Sequence, residues 1–250
     1  MAKYEKWEDY YIPGTEVLQN RFNETDPVKL KKLEESKVRG RMLLLVQQPI
    51  RGNFDFAHMK AIHKFLFQDV YEWAGEQRTA PVNEWMCKGD LCYFPADGPI
   101  DTPLTNQLNK LYGELADKNY LVGLPLDVFV KELAESWCEI NVAHAFREGN
   151  TRSQFIFFSE LAKHAGYQLD ASALAADEKL RQEIIDARNA GHKPSKISVF
   201  ADVLRKVIKP LPSVAQEEPQ GSGMILDKDP ATSLGVDVMS IVPTVDGDAG

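Results

Sequence analysis

Between residues 26 and 208 the apolar side chains recur at spacings of three and four, segment after segment, and most segments are opened or closed by a helix boundary signal. That pattern constrains the fold more than any other feature. Asp26 followed by Pro27 reads as a cap and first helical residue, and Thr102 followed by Pro103 opens a helix whose leucines fall at 104, 108, 111 and 115. Leu126–Ala143 repeats the period with Phe129, Val130, Leu133, Trp137 and Ile140. A further helix is expected over 152–165, stopped by Gly166, with shorter ones over 178–190 before Gly191 and over 198–208, where Phe200, Val203, Leu204 and Val207 align. Only 79–94 departs from this pattern: Lys88-Gly89-Asp90-Leu91 suits a β-hairpin turning at Gly89-Asp90. The expectation is an all-α domain carrying one small hairpin.

Charge sets the domain limit and excludes two classes of partner. Seven acidic residues and one lysine in 211–250 carry −6 of the net −8. That segment has no aromatic residue and several prolines and glycines, so it is expected to be a flexible acidic tail after a catalytic domain spanning 1–210. With 29 Lys+Arg against 37 Asp+Glu and no basic block, nothing recommends the chain to a nucleic-acid backbone. No run approaches the ~20 apolar residues of a membrane span, and the first residues, MAKYEKWEDYY, lack the apolar core of a secretory signal. A cytoplasmic protein is expected, with export as an effector compatible with the same features. Cys87, Cys92 and Cys138 match neither a disulfide framework nor a zinc site, so free thiols are expected. Cys87 and Cys92 would nevertheless face each other across the hairpin.

The chemistry is concentrated in HAFREGNTR, residues 144–152, between two predicted helices. His144 sits at a helix C-terminus and suits a general base. Glu148 is a hard oxygen ligand of the kind Mg²⁺ takes when phosphates and water complete its shell. Gly149 and Asn150 tolerate unusual backbone angles where the free N–H groups of the next helix converge, and Arg152 directs a forked cation to the same place. Phe146 is read as an apolar anchor of the loop. On spacing alone, a satisfied structural histidine and an ordinary helix–helix turn fit these residues as well.

The loop resembles the Fic-domain signature HPFx[D/E]GNGRxxR. Upstream, 62–78 (IHKFLFQDVYEWAGEQR) is similar to the family helix ending in WAG…R, and 79–94 falls where Fic proteins carry a hairpin flap. The resemblance covers most of 25–210. It implies an all-α Fic-type fold with the motif loop between two central helices. It also implies transfer of AMP from ATP to a Tyr, Thr or Ser hydroxyl of a target protein docked at the flap. Carried over, His144 is the base, Glu148 holds Mg²⁺, and Gly149, Asn150 and Thr151 with Arg152 bind the nucleotide phosphates, Arg152 at the pyrophosphate end. Trp85 and Lys88 on the flap are candidate target contacts.

Three positions depart from the signature. Ala145 replaces a proline, Thr151 a glycine, and Phe155 a second arginine that helps place the terminal phosphate. Thr151 implies ordinary backbone angles or a reshaped cradle, with its hydroxyl available as a cap or phosphate donor. Phe155 implies weaker or altered nucleotide binding. Inhibited relatives use the pattern [S/T]xxxE[G/N]; TEVLQN at 15–20 has Gln19 for the glutamate and 213–218 ends in Glu218, so no internal brake is evident. A small antitoxin-like inhibitor stays open as a partner. Two alternatives remain: a variant moving another phosphate-containing group, against which Thr151 in place of a loop lysine counts, and a catalytically weak domain that only binds a partner. His58, His63, His164 and His192 show no partner pattern, and Trp137 and Cys138 read as core.

Overall fold

In the computed structural model the described residues are 4–211; the predicted acidic tail lies, Leu211 apart, outside them. Among the described residues are eight α-helices, in line with the helical periodicity, the expected hairpin, and a second small antiparallel sheet outside that expectation. α1 (Pro27–Gln47) starts where Asp26 accepts hydrogen bonds from the N–H groups of Val28 (2.9 Å) and Lys29 (3.2 Å). α2 (Phe56–Phe67) is capped by Asp55, whose carboxylate accepts from His58 N–H at 2.8 Å. The hairpin follows, β1 (Met86–Lys88) pairing with β2 (Leu91–Tyr93) around Gly89-Asp90. α3 (Pro103–Asp117), α4 (Leu126–Ala143) and α5 (Asn150–His164) come next. β3 (Tyr167–Leu169), α6 (Ala171–Ala176), α7 (Glu178–Ala190), α8 (Ile197–Val207) and β4 (Ile208–Pro210) complete the chain.

α4 and α5 sit at the centre, with α2 against α5 and α3, α7 and α8 against α4. α4 buries the predicted face of Phe129, Val130, Leu133, Trp137 and Ile140, and Trp137 stacks on Phe158 of α5 with centroids 4.6 Å apart. α5 is covered almost all round: every residue from Asn150 to Phe158 is buried. A helix enclosed in this way cannot shift its first turn without disturbing the whole core. The site inherits that rigidity.

Several local expectations are corrected. The helix read as ending in WAG…R stops at Phe67, and Trp73, Ala74 and Gly75 lie in the turn beyond it. Gly75 has φ +84, and a Cβ there would lie 2.6 Å from Lys64 Cβ. α3 opens at Thr102-Pro103 as read, although its first turn is capped not by the Thr102 side chain but by Asp97, which accepts from Thr105 N–H at 3.0 Å. Cys87 and Cys92 are joined by a disulfide rather than left as free thiols. The register pairs them directly with Cα atoms 4.0 Å apart, the close spacing of a non-hydrogen-bonded pair, which brings their side chains together. β3 pairs with β4 through a contact that the helical pattern does not announce.

Candidate active site

α4 ends on His144, whose backbone is left-handed (φ 48, ψ 60). For a non-glycine residue that conformation costs of order 1 kcal/mol, and it turns the chain sharply into the loop. Arg78 holds this end. Its Nε donates to His144 O (2.7 Å), Nη1 to Ala80 O (3.1 Å) and Nη2 to Phe94 O, while its own N–H donates to Ala145 O (2.9 Å). One buried guanidinium thereby joins the negative end of α4 to the base of the hairpin. That is the physical content of the arginine after WAG.

The loop is pinned from α2 as well. His63 is fully buried and accepts from Gly75 N–H at Nδ1 (2.8 Å), so its Nε2 carries the proton and donates to Glu148 O at 2.9 Å. Phe146, the predicted anchor, stacks on the His63 ring at 3.9 Å. Burial, with a smaller contribution from the Arg152 charge, pushes the imidazole of His63 down to about 3, so it stays neutral. Asn150 closes the loop on itself: its Oδ1 accepts from Phe146 N–H (2.9 Å) and its Nδ2 donates to Phe146 O (2.8 Å).

Gly149 caps α5 at φ +83, and a Cβ on it would lie 2.3 Å from the Phe67 ring. Only glycine meets both demands. The Gly149 N–H donates to Glu148 Oε1 (2.9 Å), and the intrahelical ladder begins with Ser153 N–H on Gly149 O at 3.1 Å. The first turn before it points N–H groups outward, as at any helix N-terminus. Arg152 lies over the Phe67 ring and shares its guanidinium between Glu148 Oε1 (3.1 Å) and Glu34 Oε1 (2.6 Å). Thr151 takes ordinary helical angles, the first of the two outcomes open to it, and its Oγ1 accepts from Arg188 Nη2 at 2.9 Å. Phe155 fills its place with an aromatic contact to Trp137, centroids 6.2 Å apart.

His144, Thr151 and Arg188 line one cleft of about 410 Å³ between the end of α4, the start of α5, α7 and the hairpin. The hairpin forms one wall, where Tyr93 stacks on the His144 ring at 3.9 Å. Its tip is tied across the cleft mouth, Asp90 pairing with Lys193 and facing His192 at 3.6 Å. Lys193, ahead of lesser neighbours, holds the Asp90 carboxyl below the usual range. Arg147 is buried with its guanidinium 3.7 Å over the Trp7 ring, so the N-terminal segment also braces the loop. Among the described residues no group of three or more His, Cys, Asp or Glu side chains gathers to hold a metal ion, and no helix is long and apolar enough to cross a membrane. Sequence reasoning missed Glu34, Arg188 and Tyr93, which reach the loop from other elements. His58 and His63 prove structural; His58 Nε2 contacts Ile50 O at 2.9 Å.

Comparison with known proteins gives the family and agrees with the fold. Residues 53–162 match the model of the Fic/DOC family. The chain is 36% identical over 179 residues, 70% of its length, to "Probable protein adenylyltransferase y4lH" of Sinorhizobium fredii, of which it covers 85%. It is 36% identical over 163 residues, 64% of its length, to "Probable protein adenylyltransferase Fic" of Escherichia coli, of which it covers 74%. Among solved structures, the BepC protein of Bartonella tribocorum with bound AMPPNP is 27% identical, with a TM-score of 0.67 over 82% of this chain and 98% of that one. The N-terminal Fic domain of a VirB-translocated Bep effector of Bartonella quintana, with bound ADP, is 25% identical, with a TM-score of 0.71 over 83% of this chain and 97% of that one. The chain belongs to the Fic/DOC family.

Proposed function

We propose that this protein is a Mg²⁺-dependent protein adenylyltransferase of the cytoplasm, moving AMP from ATP to a hydroxyl of a target protein. The observation that carries the reading is the placement of His144 and the first turn of α5 on one cleft, with Glu148 and Arg152 buried together at that turn. A base beside an anion cradle is what in-line transfer of a phosphate group requires.

In the reaction, His144 takes the proton of the target Tyr, Thr or Ser hydroxyl, and that oxygen forms a bond to the α-phosphorus of ATP. The bond from the α-phosphorus to the bridging oxygen of the β-phosphate breaks, and pyrophosphate leaves. Tyr93, stacked on the imidazole, and the left-handed turn at residue 144 fix the orientation of the base. Gly149 lets backbone approach the phosphates, the N–H groups at Asn150 and Thr151 cradle them, and Arg152 steadies the leaving pyrophosphate. The Asn150 side chain acts chiefly by holding the cradle's shape through Phe146. A buried carboxylate at an anion pocket fits a Mg²⁺ whose remaining ligands are phosphate oxygens and water, so Glu148, held in place by Arg152, is the residue that would hold it. Bound there, the ion would neutralise developing phosphate charge.

The target protein docks on the flap. β2 packs against α4, whereas β1 is the more exposed strand and Trp85 beside it is half exposed, which favours main-chain pairing of a target segment along that edge. A small antitoxin-like protein entering the same cleft would serve as the inhibitor.

Incubation with a lysate and ATP labelled at either the α- or the γ-phosphate tests the reading. Protein-bound label from the α-position alone, abolished in His144→Ala, is the expected result. Label from the γ-position would establish phosphotransfer instead, and none from either would reduce the domain to a binding module.

A further inference from the structure

We propose that Arg188, on α7, is a second phosphate-binding cation of this site and that it grips the β/γ end of the nucleotide from the α7 side of the cleft. The inference rests on the nucleotide reading above.

Arg188 is buried, yet it lines the cleft that His144 lines, and its Nη2 donates to Thr151 Oγ1 at 2.9 Å and to Asn189 Oδ1 at 3.3 Å. Those acceptors fix the guanidinium at the first turn of α5. The N-terminus of that helix carries about half a positive charge of its own, which favours an anion at the same place. Arg152 stands on the same turn, with Glu34 and Glu148 as its counter-ions. A phosphate chain bound at that turn would meet the Arg188 guanidinium together with the free N–H groups of the helix.

The surroundings of Arg188 coincide with two of the motif's departures. Thr151, Phe155, Trp137 and Arg188 line one crevice, and Thr151 and Phe155 lie one turn apart on the same face of α5. A glycine at 151 would offer no hydroxyl to fix Arg188. A long cation at 155 would project into the space Arg188 uses. The two positions therefore exchange one source of charge, the helix itself, for another carried by α7.

Calorimetric titration of ATP and of AMP, with the fold followed by thermal melting, tests this on the full chain. Arg188→Met is expected to weaken ATP about tenfold or more while AMP changes by less than about twofold, since AMP lacks the distal phosphates. Phe155→Arg added to Arg188→Met is expected to recover part of the ATP affinity. If Arg188→Met melts poorly, Arg188→Lys carries the same comparison: charge kept and fork lost should give an intermediate ATP affinity with AMP unchanged. Wild-type ATP affinity in a folded Arg188 variant, or equal losses for ATP and AMP, would overturn the proposal and leave the nucleotide reading standing. A wild-type protein that binds neither nucleotide would overturn that reading itself.

Discussion

Glu34 and Arg152, 118 residues apart in sequence, form a buried ion pair with Oε1 and Nη1 separated by 2.6 Å. The other oxygen of Glu34 accepts from the Tyr71 hydroxyl, and burial, reinforced by the Glu34 charge, holds the Tyr71 phenol well above its usual range. α1 thus supplies the counter-charge that lets a cation rest inside the core. Removing one member of such a pair strands the other. Glu34→Ala is expected to cost about 3 kcal/mol in urea unfolding. Tyr71→Phe, which deletes a single donor, should cost about 1 kcal/mol. Equal stability of wild type and Glu34→Ala would mean that the pair does not hold the site.

Gly149 joins a positive φ to a close approach. Gly149→Ala is expected to destabilise the fold by about 2 kcal/mol and to abolish nucleotide binding, because φ +83 and a Cβ 2.3 Å from the Phe67 ring conflict at once. Trimming the ring in Gly149→Ala/Phe67→Leu relieves the contact but not the backbone angle, so stability should return only in part. Full recovery in the double variant would show that φ carries none of the cost.

His63 makes the fold sensitive to acid. Its folded value of about 3 lies below the ordinary 6.5, so the unfolded chain binds a proton that the folded one refuses. Stability is therefore complete above the unfolded value and is lost as pH falls through the window between them. From roughly pH 7.5 to pH 5 this group alone should remove about 2 kcal/mol. Denaturant unfolding across that range checks the slope, which should flatten in His63→Asn. An unchanged slope in that variant would assign the acid sensitivity elsewhere.

Arg78 is expected to be irreplaceable by lysine. A single ammonium cannot reach His144 O, Ala80 O and Phe94 O together, so Arg78→Lys should lower stability by about 2 kcal/mol and slow transfer through the displaced end of α4. Wild-type melting and activity in Arg78→Lys would show that one contact suffices.

Helices whose apolar face and stop signal agree were legible in the sequence. Leu126–Ala143 and Glu178–Ala190 begin and end as read, and the hairpin turns at Gly89-Asp90 with Cys87 opposite Cys92. The end of α2 was not legible, because Phe67 is followed by neither glycine nor proline; the chain leaves the helix through turns closed by the N–H groups of Val70 and Tyr71 on Phe67 O, 2.9 Å each. β3 and β4 are three residues each and meet across some forty residues, too short for an alternating pattern to register. In the site, the motif residues were visible because they are contiguous. Glu34, His63 and Arg188 were not, since each reaches the loop from a different helix, far from the motif in sequence. The fate of the Thr151 hydroxyl followed from Arg188 and could not be read from position 151 alone.

The central claim, that His144 performs the chemistry while the start of α5 holds the nucleotide, is tested most directly by separating binding from transfer in one variant. In His144→Ala, the calorimetric dissociation constant for ATP should stay within about threefold of wild type while transfer of α-label to protein falls by about a thousandfold or more. Transfer that persists in a variant still binding ATP would contradict the account.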